Sequence, residues 1–590
     1  LAVAALATSF ALLSGRMPAA RRALSRSAQR AALGSGLLSL ALVSAQAEAF
    51  FEDGFEDPMP ALALQLQPAD GVAGTQRVSF ALPLSPGALF DPTQVSLWLH
   101  GTEQPLHVVS LGSWHALPPS GLLCADAAPA ATDSLRSVLL QADIDFGSGQ
   151  AVPVEVRLDR ERTLSLTDPV AVEQTWQIAD SGSYAAADGV MEPKALALWS
   201  AQHLRCAGLA PALGGVGLRP YLAATDQAQI DFFYTTINDF GPSGWPATQG
   251  LVDYKTDYEP WLYDRPAVYY LGHLRSAQPD LLREAHRAAY FYAQNIYTPE
   301  QCQAAGNSGD CVGYFRLKNP DIGSAWKDPK YSYGEGMELA WWLTGLPLFR
   351  QTALHVVEAS DRGAPILQAD SAADHWFTER WWGFALQANA SAFALTGDAA
   401  LRDKLSAATG AFLARQQLHP LANGGCFIYN WDGGDAKGFS PWMSALLQYA
   451  FLNTWHLTAD LRLPGMMRDL ADCVSRLGLW TVSGDSAQIN GRFVPYYGVR
   501  HDGAALDSNP WSGIEHASDV ASLLAIGSAF ATDPLRARLR QDVHALLPSH
   551  EWTIDYWTRS TPDYPRYRVS PPRKYAWQYH YLHVIGFLIE

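Results

Sequence analysis

The sequence predicts a multidomain β + α protein: an N-terminal antiparallel β barrel or sandwich followed by an (α/α)6 toroid. Stretches of period-two alternation come first, a recurring helix-and-cap pattern fills the rest, and strands precede helices without alternating with them, which argues against an α/β sheet. At 590 residues the chain is longer than one ordinary core covers, so two large units are expected.

Residues 1–47 read as upstream translation and an export signal. Met17 is the expected start, Arg21, Arg22, Arg26 and Arg30 give a positive n-region, Ala31 to Val43 an apolar core, and Ala45-Gln46-Ala47 a small-residue cleavage site. Glycine and serine interrupt the apolar run, which is short for a membrane span, and no later segment is long and apolar enough to cross. The mature protein is expected to be secreted or periplasmic. Cleavage removes five of the 42 Lys and Arg and none of the 58 Asp and Glu, taking the formal charge from −16 to −21. Such a field disfavours nucleic acid and anionic lipid as partners.

Residues 48–61 form an acidic tether, FFEDGFEDPMP at its centre. Strand alternation then runs through 62–170, at Arg77–Gly87, Gln94–Gly101, His107–Trp114, Leu135–Phe146, Val152–Asp159 and Arg162–Asp168, each bounded by Gly, Pro or Asp.

From 187 to 590 the helical pattern takes over. DPKYSYGEGMELAWWLTG, Asp328 to Gly345, leads a charged, tyrosine-rich loop into a helix with apolar residues at three- and four-residue steps and a Thr-Gly end. The pattern recurs with its closing threonine at Thr396, Thr458 and Thr532, spaced from Thr344 onward by 52, 62 and 74 residues. WLYDRPAVYYLGHLRSAQPD before and RKYAWQYHYLHVIGFLIE after bring the inner helices to six. Irregular spacing suits a closed ring of hairpins better than a fixed-period solenoid.

Six cysteines in an exported chain can pair. Cys302 and Cys311 bracket a Gly/Asn/Ser turn and form the expected local disulfide; Cys426 with Cys473, and Cys124 with Cys206, are the further pairings considered. No C-x-x-C is present.

The run LPLSPGALFDPTQVSLW, the Trp114-bearing strand and SVLLQADI resemble the N-terminal RIFT-type barrel of secreted rhamnogalacturonan exolyase-like proteins, whose helical toroid the second part resembles. The resemblance implies a polysaccharide lyase. It carries no catalytic residue across to this chain.

In a ring of hairpins the inner helices run in one direction, so the loops entering them gather at one mouth. Those loops hold the chemically dense residues: Tyr254, Asp257, Trp261, Asp264 and Arg265; Lys327, Lys330, Tyr331, Tyr333 and Glu335; His375, Glu379, Arg380 and Trp381; Trp431, Asp432, Lys437 and Trp442; Arg500, His501, Trp511, Glu515 and His516; Arg568, Arg573, Lys574, Tyr575 and Tyr579. Helix N-termini favour anions, and aromatic faces stack on sugars and cations. The expected ligand is therefore a poly- or oligosaccharide, acidic in character.

Tyr333, Glu335, Arg380, His516, Asp264 and Arg265 are the candidate catalytic groups. Tyr254, Trp261, Lys330, Trp381, Trp442, Trp511 and Tyr575 are the candidate substrate contacts. Arg380 or Arg265 would neutralise a uronate carboxylate, Tyr333 or His516 would remove the C5 proton, and a tyrosine or Glu335 would protonate the leaving oxygen. Lys330 and Arg380 are expected to lower the Tyr333 pKa. Each residue has a plainer role open to it: Glu335 as a dipole-complementing acid, Asp264 and Arg265 as an ion pair tying hairpins together, Tyr333 as packing.

A glycoside hydrolase with paired carboxyl groups drawn from Asp264, Glu335, Glu379, Asp432 and Glu515 is the alternative, and a noncatalytic glycan-binding protein the third. No phosphate-binding loop, dinucleotide fingerprint or G-x-S-x-G elbow occurs. No cofactor is expected and no zinc motif is present; a divalent cation held by fold-assembled His and carboxylate groups stays open.

Overall fold

The first strand, β1 (Ala61–Pro68), alternates exposed and buried residues along its length, as a strand with one face on a core must. It opens the part of the chain that the computed structural model describes: residues 61–590 without 117, 120, 123–132, 183, 232, 234–254, 257, 259–260, 307–308, 321–326, 419–423, 432–433, 485–487, 559–572 and 590. The export signal, the tether, and Tyr254, Asp257, Asp432, Arg568 and Cys124 lie outside the described residues, as do the side chains of Arg573 and Lys574.

Nine further strands follow: β2 (Thr75–Pro83), β3 (Ser96–Leu99), β4 (Thr102–Gln104), β5 (His107–Ser113), β6 (Leu135–Asp145), β7 (Val152–Arg157), β8 (Trp176–Ile178), β9 (Met191–Pro193) and β10 (Ala195–Trp199). They make an antiparallel five-stranded sheet in the order β10-β1-β7-β3-β4, a three-stranded sheet β2-β6-β5 and the hairpin β8-β9. The expected barrel is not seen, because no described sheet closes on itself; the two larger sheets are open. Arg162–Asp168 is not a strand either, contributing an isolated bridge between Leu106 and Ser165. Strand structure also continues past 187, since β10 completes the edge of the first sheet beside β1.

The helices build a ring. Its inner members are α2 (Arg265–Ser276), α4 (Glu335–Thr344), α6 (Glu379–Thr396), α8 (Pro441–Thr458), α10 (Ala517–Phe530) and the broken pair α12 (Arg573–Tyr579) and α13 (Leu582–Leu588). Each packs on the next, and α12 returns to α2, so the ring is closed. Outside lie α1 (Ala223–Asp231), α3 (Pro279–Gln294), α5 (Pro347–Gly363), α7 (Ala399–Gln417), α9 (Arg462–Leu477) and α11 (Leu535–Thr558), α1 packing on α11. Sequence explains the two layers: α9 buries Leu463, Met466, Met467, Leu470, Ala471 and Val474, one stripe, whereas α8 is buried on nearly every side. Gly345 and Gly397 end α4 and α6 at φ 67° and 65°, the left-handed caps that the Thr-Gly pairs predict.

The sheets and the ring form one compact unit, Ala61–Glu590. The β layer sits against the C-terminal end of the inner helices: β2 and β6 pack on α4, Ser137 Oγ donates to the Trp342 carbonyl at 2.8 Å, and a Cβ on Gly345 would meet Leu139 at 2.8 Å. The mouth at the other end carries short strands, β11 (Tyr429–Asn430), β12 (Lys437–Phe439), β15 (Gly498–Arg500) and β16 (Ala505–Asp507) in one sheet and β13 (Leu479–Thr481) with β14 (Phe493–Pro495) in another. Disulfides join Cys302 to Cys311 and Cys426 to Cys473, with Cα separations of 5.8 and 5.7 Å.

Candidate active site

The inner helices begin at different depths. Glu335 is the first residue of α4, yet its Oε1 accepts from the hydroxyl of Tyr449, the ninth residue of α8, at 2.7 Å. At 1.5 Å per residue, the start of α8 stands about 12 Å nearer the mouth than Glu335 does. The carboxylate is therefore recessed into the ring.

Its surroundings come from five inner elements, apolar walls with a few polar groups between them. A cavity with room for about one water molecule is lined by Asp264, Tyr333, Gly334, Glu335, Gly383, Phe384, Gln387, Leu446, Tyr449, His580 and Tyr581. His580 Nε2 lies 3.1 Å from Glu335 Oε2. Asp264 caps two helices at once, its Oδ1 accepting from Ala267 N at 3.2 Å and its Oδ2 from Gly336 N at 2.9 Å. A side chain at Gly336 would put its Cβ 2.4 Å from Asp264 Oδ1, so glycine is what lets α2 and α4 start in contact. Burial, reinforced by the charge of Glu335, pushes the Asp264 carboxyl up to about 7.

The backbone at this point is strained. Tyr263 and Asp264 both take positive φ, 76° and 51°, without being glycine. Tyr263 N donates to the Tyr333 hydroxyl at 3.0 Å, while the Tyr263 ring meets Phe384, Trp442 and Trp577 with centroids 6.2, 6.3 and 5.3 Å apart. Trp442 stands seven residues before Tyr449 on α8, so these rings cover the cavity on its mouth side.

Of the expected catalytic groups, Asp264, Tyr333 and Glu335 meet at this cavity. Arg380 and His516 lie nearer the mouth, against Trp442: the guanidinium is 5.4 Å from the ring and the imidazole stacks on it at 4.4 Å. His516 Nδ1 pairs with Asp519 at 2.8 Å, and burial pushes the Asp519 carboxyl well above its usual range. Arg265 turns from the cavity toward Trp261 and Tyr269, 5.9 and 5.4 Å from their rings; burial raises the nearby Glu284 carboxyl, with Arg287 and, less, Arg265 opposing the rise.

The expected low Tyr333 pKa is overturned. Burial raises it well above the ordinary phenol value, and Lys330 Nζ lies 3.2 Å from Asp328 and over the Tyr331 ring instead. Several expected sugar platforms are packing residues. Trp261 stacks on Phe291 at 5.1 Å, Tyr575 donates to the Gln229 carbonyl at 2.8 Å, and Trp511 packs against Trp552 and Tyr556. Trp442 is buried as well, stacked on His516 as part of the cover of the cavity, while Trp381 near the start of α6 is half-buried. Glu379, raised by burial to about 8, accepts from Ser440 N at 3.3 Å and Ser444 Oγ at 3.2 Å, tying α6 to the start of α8.

Tyr449, Gln387, His580 and Tyr581 escaped the sequence reading. The signal for the first two is a polar residue inside an otherwise apolar inner helix, in ALLQYAFL and FALQANA. Among the described residues no cluster of three or more His, Cys, Asp or Glu is arranged to hold a metal ion, and no helix is long and apolar enough to cross a membrane.

No protein-family model and no curated protein matches the chain. Among solved structures, an inactive variant of alpha-1,6-mannanase from Salegentibacter sp. HEL1_6 in complex with alpha-1,6-mannotetrose is similar at TM-score 0.39 and 11% identity, over 63% of this chain and 100% of that one. A mutant of unsaturated glucuronyl hydrolase from Streptococcus agalactiae is similar at 0.39 and 10%, over 64% and 98%. The cellobiose 2-epimerase of Spirochaeta thermophila DSM 6192 is similar at 0.37 and 12%, over 62% and 98%. Likeness this distant decides nothing about function, and the ring rests on its own helix contacts.

Proposed function

We propose that the ring hydrolyses a glycosidic bond in an acidic saccharide, with Asp264 as general acid and Glu335 as general base. One observation carries this reading: Asp264, pushed up to about 7, shares a cavity with a second carboxyl group held by Tyr449 and His580. Two carboxyl groups with different environments are what an acid and a base on either side of a scissile bond require. Asp264 gives its proton to the leaving oxygen as the C–O bond breaks, and Glu335 takes one from the attacking water.

The aromatic cover of Tyr263, Trp442 and Trp577 supports a sugar ligand, which reaches the pair by displacing the Tyr263 ring. Burial lowers the Lys330 pKa, Asp328 opposes that, and Arg380 adds a smaller push down; with Lys330 paired to Asp328, the Arg380 guanidinium beside Trp442 is what supports an acidic substrate. β-Elimination is less favoured, since a tyrosine base needs a lowered pKa and Tyr333 has a raised one. The paired cysteines fit export to an oxidising compartment.

A panel of acidic and neutral oligosaccharides tests the reading. New reducing ends carrying oxygen from labelled water, with turnover falling as pH rises through about 7, are expected. Products that absorb as an unsaturated uronate would replace it with the lyase.

A further inference from the structure

Gln387 is the cavity residue with no structural employment. It is 7% exposed, and neither its Nε2 nor its Oε1 has a hydrogen-bond partner among the described residues. Burying an amide with both ends unpaired is costly, so natural structures fill such sites with a water or a ligand. Its place is fixed by the helix above it: at Gly383, one turn toward the mouth, a Cβ would come within 3.0 Å of the Leu447 backbone, so α6 and α8 touch there and Gln387 is the next long side chain to reach inward.

The space it faces is small and largely apolar-walled, so the few polar groups that converge on it are the partners open to an occupant. The cavity has room for about one water, and in a space of that size an occupant lies within reach of the Glu335 carboxylate as well as the amide. Tyr449 and His580 already occupy one side each of that carboxylate, fixing its orientation.

We propose that Gln387 and Glu335 hold between them a single water molecule, and that this water is the nucleophile of the hydrolysis. The inference rests on the hydrolase reading above. Gln387 donates from Nε2 and accepts at Oε1, orienting the water; the water oxygen bonds to the anomeric carbon as the glycosidic C–O bond breaks, one water proton passes to Glu335, and the Asp264 proton passes to the leaving oxygen. Direct attack by water predicts inversion at the anomeric carbon.

Two measurements decide it. A high-resolution crystal structure of the wild-type protein should show an ordered water roughly 2.7–3.2 Å from the Gln387 amide, absent from Gln387→Leu. With the saccharide that is turned over fastest, Gln387→Leu should lower kcat about 10²-fold with little change in KM, while Gln387→Ala, which opens space, should raise the ratio of methyl glycoside to hydrolysed product about tenfold in added methanol. A merely structural amide would leave that ratio unmoved. A dry cavity with hydrolysis intact overturns the proposal and spares the hydrolase reading. An ordered water with unchanged kcat and partition makes it a structural water only, which also overturns the proposal. An ordered water with no saccharide cleaved refutes the hydrolase reading and the nucleophile role with it.

Discussion

Glu335 and Glu338 stand less than one turn apart on α4, both at most 5% exposed, and they live in opposite environments. Glu338 faces the β layer. Its Oε1 lies 3.1 Å from Arg136 Nη2, and that guanidinium is clamped between Trp114 and Trp342, 4.7 and 4.9 Å from their rings. The pair is packed into the joint between sheet and ring. Glu335 faces a small cavity that it shares with Asp264 and with the unpaired amide of Gln387. The packed carboxyl group acts as a joint; the one at the cavity is the one a ligand there can reach.

The sharpest way to break this contrast is to neutralise each glutamate's side of it. Glu335→Gln keeps the shape and both neighbours, so turnover should fall by roughly two to four orders of magnitude while the thermal midpoint barely moves; a kcat within threefold of wild type would remove Glu335 from the chemistry. Arg136→Ala should do the reverse. It strands Glu338 in a sealed site, and urea unfolding should show a loss of about 3–5 kcal/mol, with kcat per folded molecule nearly retained.

Gly336→Ala probes the boundary between the two environments. The added Cβ would lie 2.4 Å from Asp264 Oδ1 and 2.9 Å from Ala267 N, so stability should fall by about 1–3 kcal/mol and the alkaline limb of the activity profile should shift as Asp264 moves. Wild-type stability and an unmoved limb would mean that the α2–α4 contact does not set the acid.

The mildest test varies pH alone. Asp264 and Glu379 have folded pKa values of about 7 and 8, above their unfolded values, so their contribution is full below about pH 4 and is lost as pH rises through 7 to 8. His203, His273 and His550 are depressed to about 4, and His286 and His456 to about 3, all by burial, so theirs is full above about 6.5 and lost as pH falls. The opposing signs place maximum stability near pH 6.5. A midpoint that keeps climbing to pH 9 would mean that these carboxyl groups are charged in the folded state.

Much of the frame was legible in the chain. The strands at Thr75–Pro83, Leu135–Asp145 and Val152–Arg157 follow the alternation. Inner helices α4, α6 and α8 end at the expected Thr344, Thr396 and Thr458, whereas α10 stops at Phe530 short of Thr532 and the sixth is broken in two; Cys302 meets Cys311, nine residues on. The mouth was harder to read, because aromatic richness marks both packing and platforms: Trp261, Trp511 and Tyr575 belong to packed clusters, Trp442 to the cover of the cavity. Strand β10 escaped notice because ALALW earns its place only by lying beside β1.

What the sequence determined by itself was local: which stretches alternate, which repeat at helical spacing, and where glycine permits a left-handed cap. Those depend on a residue and its near neighbours, and the backbone obeys them wherever the segment ends up. The cavity was decided by tertiary structure alone. Glu335 meets Tyr449 across 114 residues and His580 across 245, and the different depths at which the helices start put a mid-helix tyrosine against a helix-initial carboxylate. The raised pKa values of Asp264 and Tyr333 follow from the same closure, since desolvation depends on what the rest of the ring brings to cover a group, and no local pattern encodes that.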